Sequence, residues 1–397
     1  MGRPPTVSSR YCSTRVCYPD PRRSQALFVK WLSDMANRHA MDAVLPVAEA
    51  SVVGVAAVRK TLPGGIVPMV PSDRALHYTL SKFHATRLAL ASGIPCPATV
   101  FISDGNSTQD YGHEMAGLRF PIIIKTDNHF TEEGGYARGR HFIANDAHQA
   151  RNVLADIKHL QARVIAQEYI PGTGAGAYLL RFDGKTHLKF AHRRLHEVPH
   201  TGGASSLRES CRDEELVRLG EKLLEAIDYV GVAMVEFRRD TRDERRYFLE
   251  INGRFWGSLA LALHCGVDFP AALVHCYQFG TVPPQSVDYR SGLKCRNVFP
   301  GEVHHLFSIL KSARSTRPGE PPWPRLRSIG QFLLLFFDPK IRHDYFWWSD
   351  PLPGINQAWE MMRWLGRKIV KYGRRRFRRV RQEAAEVFYP LGGRPKL

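Results

Sequence analysis

Between Gly231 and Arg254 the sequence sets Glu236, Glu250, Asn252 and Arg254 at spacings that suit metal-ion and phosphate chemistry. Two apolar strands lie here, joined by a charged turn from Arg239 to Arg245. Side chains alternate along a strand, so Val235 and Phe237 on the first and Leu249 and Ile251 on the second point into a core. Glu236, Glu250 and Asn252 then share the other face. In a hairpin register symmetric about Asp243, Glu236 lies directly opposite Glu250, and the two carboxylates repel unless a cation neutralises them. Hard oxygen donors in this number suit Mg²⁺, which takes one or two carboxylates and completes its shell with water and phosphate oxygens. Arg254, two residues on and on the same side, is placed to meet a phosphate or a developing anion. The plainer reading is a solvated acidic hairpin face, but such a face normally carries interleaved Lys or Arg to relieve the repulsion.

A second piece is Phe120-Pro121-Ile122-Ile123-Ile124-Lys125, an apolar strand ending in a lysine, followed by the glycine-rich Gly134-Gly135-Tyr136-Ala137-Arg138-Gly139. A point charge at a strand end facing a flexible loop is one way to hold nucleotide phosphates. Alone the signal is weak, because such lysines are usually solvated and glycines usually just turn the chain. Two other patterns are decoys. Gly184-Lys185-Thr186 looks like the end of a P-loop, but Leu179 stands where the leading glycine must be. His192, His196 and His200 would line up as zinc ligands on a helix, yet Leu188, Phe190 and Arg193-Arg194 read as a strand running into a loop, and Pro199 opposes a helix.

The elements that must position these residues alternate. Phe28, Trp31, Leu32 and Met35 recur at helical spacing; Val44 to Val47 and Ile66 to Val70 read as strands, with small residues between them. Ser72 caps an expected helix through Lys82 and His84 to Ala91, stopped by Gly93, Pro95 and Pro97. Strands are then expected near Thr99, at Ile122–Lys125, Val164–Ile170, Tyr178–Phe182, Thr186–Arg194, Val230–Arg238 and Tyr247–Asn252. Helices are expected at Asp146–Leu160 and Asp213–Asp228, and Asp183-Gly184 is a hairpin turn. Prolines and basic residues after Thr281 read as a linker before an aromatic C-terminal region. The class is α/β.

Composition narrows the function classes. The chain has 397 residues, 44% of them hydrophobic, which is enough for real cores. Seven scattered cysteines with no C-x-x-C pair and no secretory leader read as free thiols in a reducing cytoplasm. The apolar run Phe332–Phe337 is far short of a membrane span. The net charge of +18 is concentrated in part in one place: ten Lys or Arg and no acid from Met361 to Arg381. A nucleic-acid partner therefore rests on charge alone and is not favoured. A non-catalytic nucleotide-binding protein with a basic membrane- or polyanion-binding tail is the alternative reading.

With these residues in hand, the chain resembles the ATP-grasp superfamily, which includes biotin carboxylase, carbamoyl phosphate synthetase and D-alanine–D-alanine ligase, over roughly residues 42 to 280. Ser81-Lys82-Phe83-His84-Ala85-Thr86 with Gly93-Ile94-Pro95-Cys96-Pro97 is similar to the family's entry helix, whose lysine touches ATP phosphate. Lys125 resembles its second nucleotide lysine. Ala166-Gln167-Glu168-Tyr169-Ile170-Pro171-Gly172 is similar to the strand and hinge that clasp adenine, which implies Gln167 at the amino group and the Glu168 and Ile170 backbone at the ring edge. Glu236, Glu250 and Asn252 fall on metal positions and Arg254 on a catalytic arginine. His192-Arg193-Arg194-Leu195, Gly202-Gly203-Ala204-Ser205-Ser206 and the run Glu250 to Ser258 resemble a subgroup of carboxylate-amine ligases.

That resemblance implies an α+β ATP-grasp fold using ATP and Mg²⁺, with Mn²⁺ as the alternative ion. It implies small-molecule carboxylate and amine substrates joined through an acyl phosphate, and Arg193, Arg194 and the Gly202–Ser206 loop as holders of the carboxylate. It also implies an organisation: an irregular arm over 1–20, a truncated open-sheet domain over 21–75, a two-lobed core over 76–280 divided near 165, and a linker with a small basic aromatic region over 281–397. Two features depart from the pattern. Ser81 replaces the frequent Asp before the entry lysine, and the N-terminal domain lacks its first strand-helix unit.

Overall fold

The computed structural model describes residues 5–102, 115, 117–160, 162–283, 288–311, 325–368 and 370. The chain forms two compact units, Val16–Asp344 and a smaller one made of Met1–Arg15 with Tyr345–Leu397.

In the larger unit, helix α1 (Gln25–Arg38) is capped by Ser24, whose side chain accepts from the Leu27 N–H, and it buries Phe28, Leu32 and Ala36 at four-residue spacing. Strand β1 (Ala43–Val44), helix α2 (Glu49–Val58) and strand β2 (Val67–Pro68) follow, the two strands pairing in parallel. Gly54 lets α2 rest on α1, since a Cβ there would lie 2.4 Å from the Phe28 ring. The single helix expected from Ser72 to Ala91 is two helices, α3 (Asp73–Thr79) and α4 (Lys82–Ala91). Ser81 breaks it. Its backbone is extended, its hydroxyl accepts from the His84 N–H, and it also bonds to Asp127, so Lys82 opens α4 instead of lying mid-helix.

The next segment contains β3 (Thr99–Ile102), β4 (Ile122–Thr126), the small ladder β5 (His129–Phe130) and β6 (Tyr136–Ala137), β7 (His141–Ala144), helix α5 (Ala147–Ile157) and β8 (Val164–Glu168). The longer strands form an antiparallel sheet in the order β3-β8-β4-β7. Ile122 and Ile124 are fully buried against Ala150 and Ile157 of α5.

The main sheet has seven strands: β9 (Gly172–Phe182), β10 (Lys185–Val198), β11 (Ala204–Cys211), then after helix α6 (Glu214–Ala226) β12 (Gly231–Asp240) and β13 (Arg246–Asn252). Helices α7 (Leu259–His264) and α8 (Phe269–Phe279) lead to β14 (Lys294–Arg296), α9 (Val303–Lys311), α10 (Arg325–Leu334) and β15 (Ile341–His343). The order is β13-β12-β9-β10-β11-β14-β15. Asp183 and Gly184, both with positive φ (49° and 69°), turn β9 into β10.

Period-two alternation splits the β9 side chains between two cores. Ala177 and Leu179 join Leu216, Leu219 and Leu223 of α6 on one face. Tyr178 and Leu180 join Phe190, Met234 and residues of α7 and α8 on the other.

Two further expectations need correcting. A bulge leaves Leu249 half-buried and unpaired, so Phe248 is the residue fully buried beside Phe237. The stretch from Gly202 to Ser206 is a loop only at its two glycines, because Ala204 onward is already strand β11 and β10 continues to Val198. In the smaller unit, the Ser9 hydroxyl donates to Asp350 at 2.5 Å and residues 352–368 are helical. The basic stretch from Lys371 to Arg381 lies outside the described residues.

Candidate functional site

The hairpin β12–β13 places Glu236 directly opposite Glu250, the bulge at Leu249 shifting by one residue the register that the turn sets for Phe237 and Phe248. Their side chains retain 12% and 15% of their exposure, so their charges need partners. The hairpin interleaves Arg238 on this face, but Arg238 turns to Glu197 and the Ile170 carbonyl, and tertiary structure brings the partners of Glu236 and Glu250 from elsewhere. Arg194 of β10 meets Glu236 Oε2 at 2.6 Å, and Lys82, the first residue of α4, meets Glu250 Oε2 at 2.8 Å. Arg138 stands 3.9 Å from Glu250 Oε1. Asn252 donates its amide N–H to Glu250 Oε1 at 3.0 Å and accepts from Arg254 at 3.1 Å, and Arg254 also lies 3.8 Å from Glu49.

Burial works against the Glu250 charge, yet Lys82 above all, together with Asn252 and Arg138, holds its pKa well below the usual carboxylate range. Burial likewise opposes the Lys82 ammonium, but Glu250 keeps its pKa above the ordinary lysine value. Glu236 is raised, by burial first and by its neighbour Glu250, against the pull of Arg194.

Lys125, at the end of β4, is only 7% exposed and donates to Gln167 Oε1 at 2.6 Å. No carboxylate pairs with it among the described residues. Burial, followed by the charge of Lys82, pushes its pKa down to about 8. A buried ammonium lacking a counter-ion, beside two carboxylates already matched by cations, is a site short of negative charge.

The remaining expected residues divide. Gln167 is 1% exposed, with its Oε1 held by Lys125 and its Nε2 donating to Thr99, so both ends of the amide are engaged within the sheet. The Glu168 N–H bonds to Ala98 O and its carboxylate accepts from Arg119, while the Ile170 carbonyl accepts from Arg238 at 2.7 Å. Arg193 does not join the group. Strand alternation turns it to the opposite face from Arg194, where it bonds to Glu209 at 2.7 Å. Arg193→Ala is accordingly expected to change stability by less than about 1 kcal/mol and to leave turnover unaltered, measured by urea unfolding and ADP release.

Sequence reasoning missed three side chains. Arg138 lies in the glycine-rich stretch but carried no assigned role. Glu49, at the start of α2, accepts from Asn128 at 2.7 Å and from the Tyr136 hydroxyl at 3.0 Å, tying the N-terminal segment to the glycine-rich one. Glu197, 1% exposed, lies 3.6 Å from Arg194 and 3.9 Å from Arg238, and accepts from the Gly174 N–H at 3.3 Å. Gly174 leaves the room: a Cβ there would sit 2.6 Å from Arg194 Cδ. The one legible signal for Glu197 was an acid three residues beyond Arg194. In the Glu250–Ser258 run, Phe255 and Trp256 are core residues and do not line the site.

Residues 162–299 match the family model described as ATP-grasp in the biosynthetic pathway with Ter operon. A relative from Xanthomonas axonopodis pv. citri, named "Probable alpha-L-glutamate ligase", is 30% identical over 241 residues, which cover 59% of this chain and 76% of that protein. The chain belongs to the ATP-grasp family. Solved ATP-grasp folds agree in architecture. The biotin carboxylase domain of Hydrogenobacter thermophilus 2-oxoglutarate carboxylase, in complex with MgADP, ADP and bicarbonate, superposes with a TM-score of 0.55 at 14% identity. The match covers 68% of this chain and 61% of that one. An L-amino acid ligase from Bacillus licheniformis gives 0.51 at 15% identity, covering 70% and 67%. Among the described residues of this ATP-grasp protein, no helix is long and apolar enough to cross a membrane.

Proposed function

We propose that this chain is an ATP- and magnesium-dependent ligase that activates a substrate carboxylate as an acyl phosphate for attack by an amine. The observation that carries this reading is the charge pattern: Lys82, Arg138 and Arg194 around Glu236 and Glu250, with buried Lys125 beside them and no carboxylate paired with it among the described residues. The triphosphate of a nucleotide supplies the missing negative charge.

The donor set fits a hard divalent cation. Among the described residues no three His, Cys, Asp or Glu side chains are grouped to hold a metal. A cation here would therefore rest on Glu236, Glu250 and the Asn252 amide oxygen and take its other ligands from phosphate, the habit of Mg²⁺. Mn²⁺ takes the same oxygen ligands and is the alternative ion. When bound, such an ion neutralises charge on the phosphate oxygens.

The chain's own residues do the rest. Lys82 and Lys125 turn from Glu250 and Gln167 toward phosphate oxygens. Arg194, held by Glu236, Glu197 and the Gly203 carbonyl, is oriented for the substrate carboxylate, and Arg254 for the charge that develops as phosphate is transferred. A carboxylate oxygen attacks the γ-phosphorus as its bond to ADP breaks. The amine nitrogen then attacks the acyl carbon, phosphate leaves, and the amine gives up a proton. Gln167 acts by positioning Lys125; the backbone of Glu168 and Ile170 flanks the adenine.

Two of the similar proteins are named for L-glutamate and L-amino acids, so free L-amino acids are the first carboxylates and amines to screen. Thermal unfolding with ADP, with and without Mg²⁺, tests the nucleotide site directly. At about a hundred times its dissociation constant the ligand adds roughly 2.7 kcal/mol, a rise of several degrees for a chain of this size. A magnesium-dependent rise, followed by amino-acid-dependent ADP and phosphate release, is expected. No rise with ADP, with or without Mg²⁺, removes the ligase reading.

A further inference from the structure

We propose that residues 346–368, with Val370, form an interfacial anchor that docks this protein on a bilayer surface bearing acidic headgroups. Within the smaller unit, the helical residues 352–368 and adjoining Val370 expose a stripe of large apolar side chains: Leu352 at 51%, Ile355 at 55%, Trp359 at 56%, Met362 at 53% and Val370 at 55%. At 3.6 residues per turn these positions fall within roughly an 80° arc, one narrow face of the helix. Trp348, 89% exposed, and Phe346 stand just before the helix with their rings in edge contact at 5.2 Å. Water is a poor partner for so many exposed apolar groups on one side.

Charge decides the occupant. Arg363 and Arg367 follow Trp359 by four and eight residues, which sets them along the border of the stripe, where long cationic side chains reach up to headgroups while their stems cover apolar surface. Glu360 is the single acid from Pro351 to Arg381, and it is engaged by Arg363 at 3.5 Å. Lys368 rests over the Trp364 ring at 5.3 Å, on another side of the helix. The sequence then continues with Lys371, Arg374, Arg375, Arg376, Arg378, Arg379 and Arg381. A narrow apolar stripe bordered by cations, with aromatics at its start, matches the headgroup–acyl boundary, where each Lys or Arg near an acidic surface strengthens binding about fivefold. The inference is independent of the ligase reading, since it uses none of the residues of that site.

The test is vesicle flotation of the full chain with phosphatidylcholine alone and with equal parts phosphatidylcholine and phosphatidylglycerol. Binding is expected only to the acidic vesicles and is expected to weaken with salt. Trp359→Asp with Ile355→Asp should abolish it, and Arg363→Ala with Arg367→Ala should weaken it roughly thirtyfold, with unfolding midpoints unchanged in both. The proposal is overturned if the chain floats with neither composition or binds both equally. It is also overturned if the aspartate pair leaves acidic-vesicle binding intact, which would identify a polyanion-binding tail that also takes heparin or duplex DNA. Conversion of a dimer to a monomer by the aspartate pair, without vesicle binding in the parent, would make the stripe a contact between copies of the chain.

Discussion

Glu250→Ala is expected to abolish magnesium-dependent stabilisation by nucleotide and to lower ADP release by on the order of a thousandfold, about 4 kcal/mol of transition-state stabilisation. The same change strips the buried Lys82 of its carboxylate partner at 2.8 Å, and leaving such a charge unpaired costs about 3–5 kcal/mol. Two effects are thus superimposed, and a second substitution separates them. Adding Lys82→Met removes the stranded charge, so the double variant should regain most of the lost stability while activity stays absent.

The pH profile carries the same signature. The Glu250 pKa is depressed in the fold, so its contribution is fully present above the ordinary 4.5 and disappears as pH falls through the lowered value. Lys82 is raised, so its contribution holds below 10.5 and is lost as pH climbs past it. Urea unfolding of the wild type should therefore weaken at both ends, and Glu250→Ala should flatten both limbs. An acid limb that survives the substitution would assign it to other carboxylates.

Nucleotide binding near pH 8.5 is expected to take up roughly three quarters of a proton, and Lys125→Met to eliminate that uptake. Lys125 sits at about 8 in the fold, against an ordinary 10.5. Below pH 8 the buried ammonium costs about 3 kcal/mol, and between 8 and 10.5 the folded form sheds its proton first, so stability rises with pH across that interval. Phosphate oxygens placed beside it would restore the charged form, which drives the uptake. Calorimetry in buffers of different ionisation enthalpy measures it. Lys125→Met should also stabilise the ligand-free protein at pH 7 while weakening nucleotide binding by about a hundredfold or more, the pattern of a group retained for function at the expense of the fold. Uptake that persists without Lys125 would assign the proton to another group.

Much of this site was legible before any coordinates. The strand positions from Ile122 to Asn252 and the antiparallel hairpins follow from period-two alternation and from turn residues such as Asp183-Gly184, because the physics there is local. Counting about Asp243 faced Glu236 with Glu250, but the ladder beside the turn is centred half a residue earlier, with Phe237 opposite Phe248, and only the bulge at Leu249 brings the two carboxylates opposite each other. Locality also explains the failures. A one-residue bulge moved the core position from Leu249 to Phe248, and no composition rule marks a bulge in advance. Ser81 ended a helix that propensity would have continued, because its hydroxyl had partners at His84 and at Asp127, forty-six residues away.

By itself the sequence determined the α/β class, the gathering of Glu236, Glu250 and Asn252 on one hairpin, and the lysines at the ends of local elements. Tertiary structure alone decided how those charges are balanced. Lys82 is delivered to Glu250, Arg194 to Glu236, Glu197 is buried between two arginines, Arg193 is turned away, and Lys125 pairs with no carboxylate among the described residues. The reason is physical: backbone pattern depends on neighbours a few residues away, whereas the charge state of a buried group depends on partners that only the packed chain brings within a few ångströms.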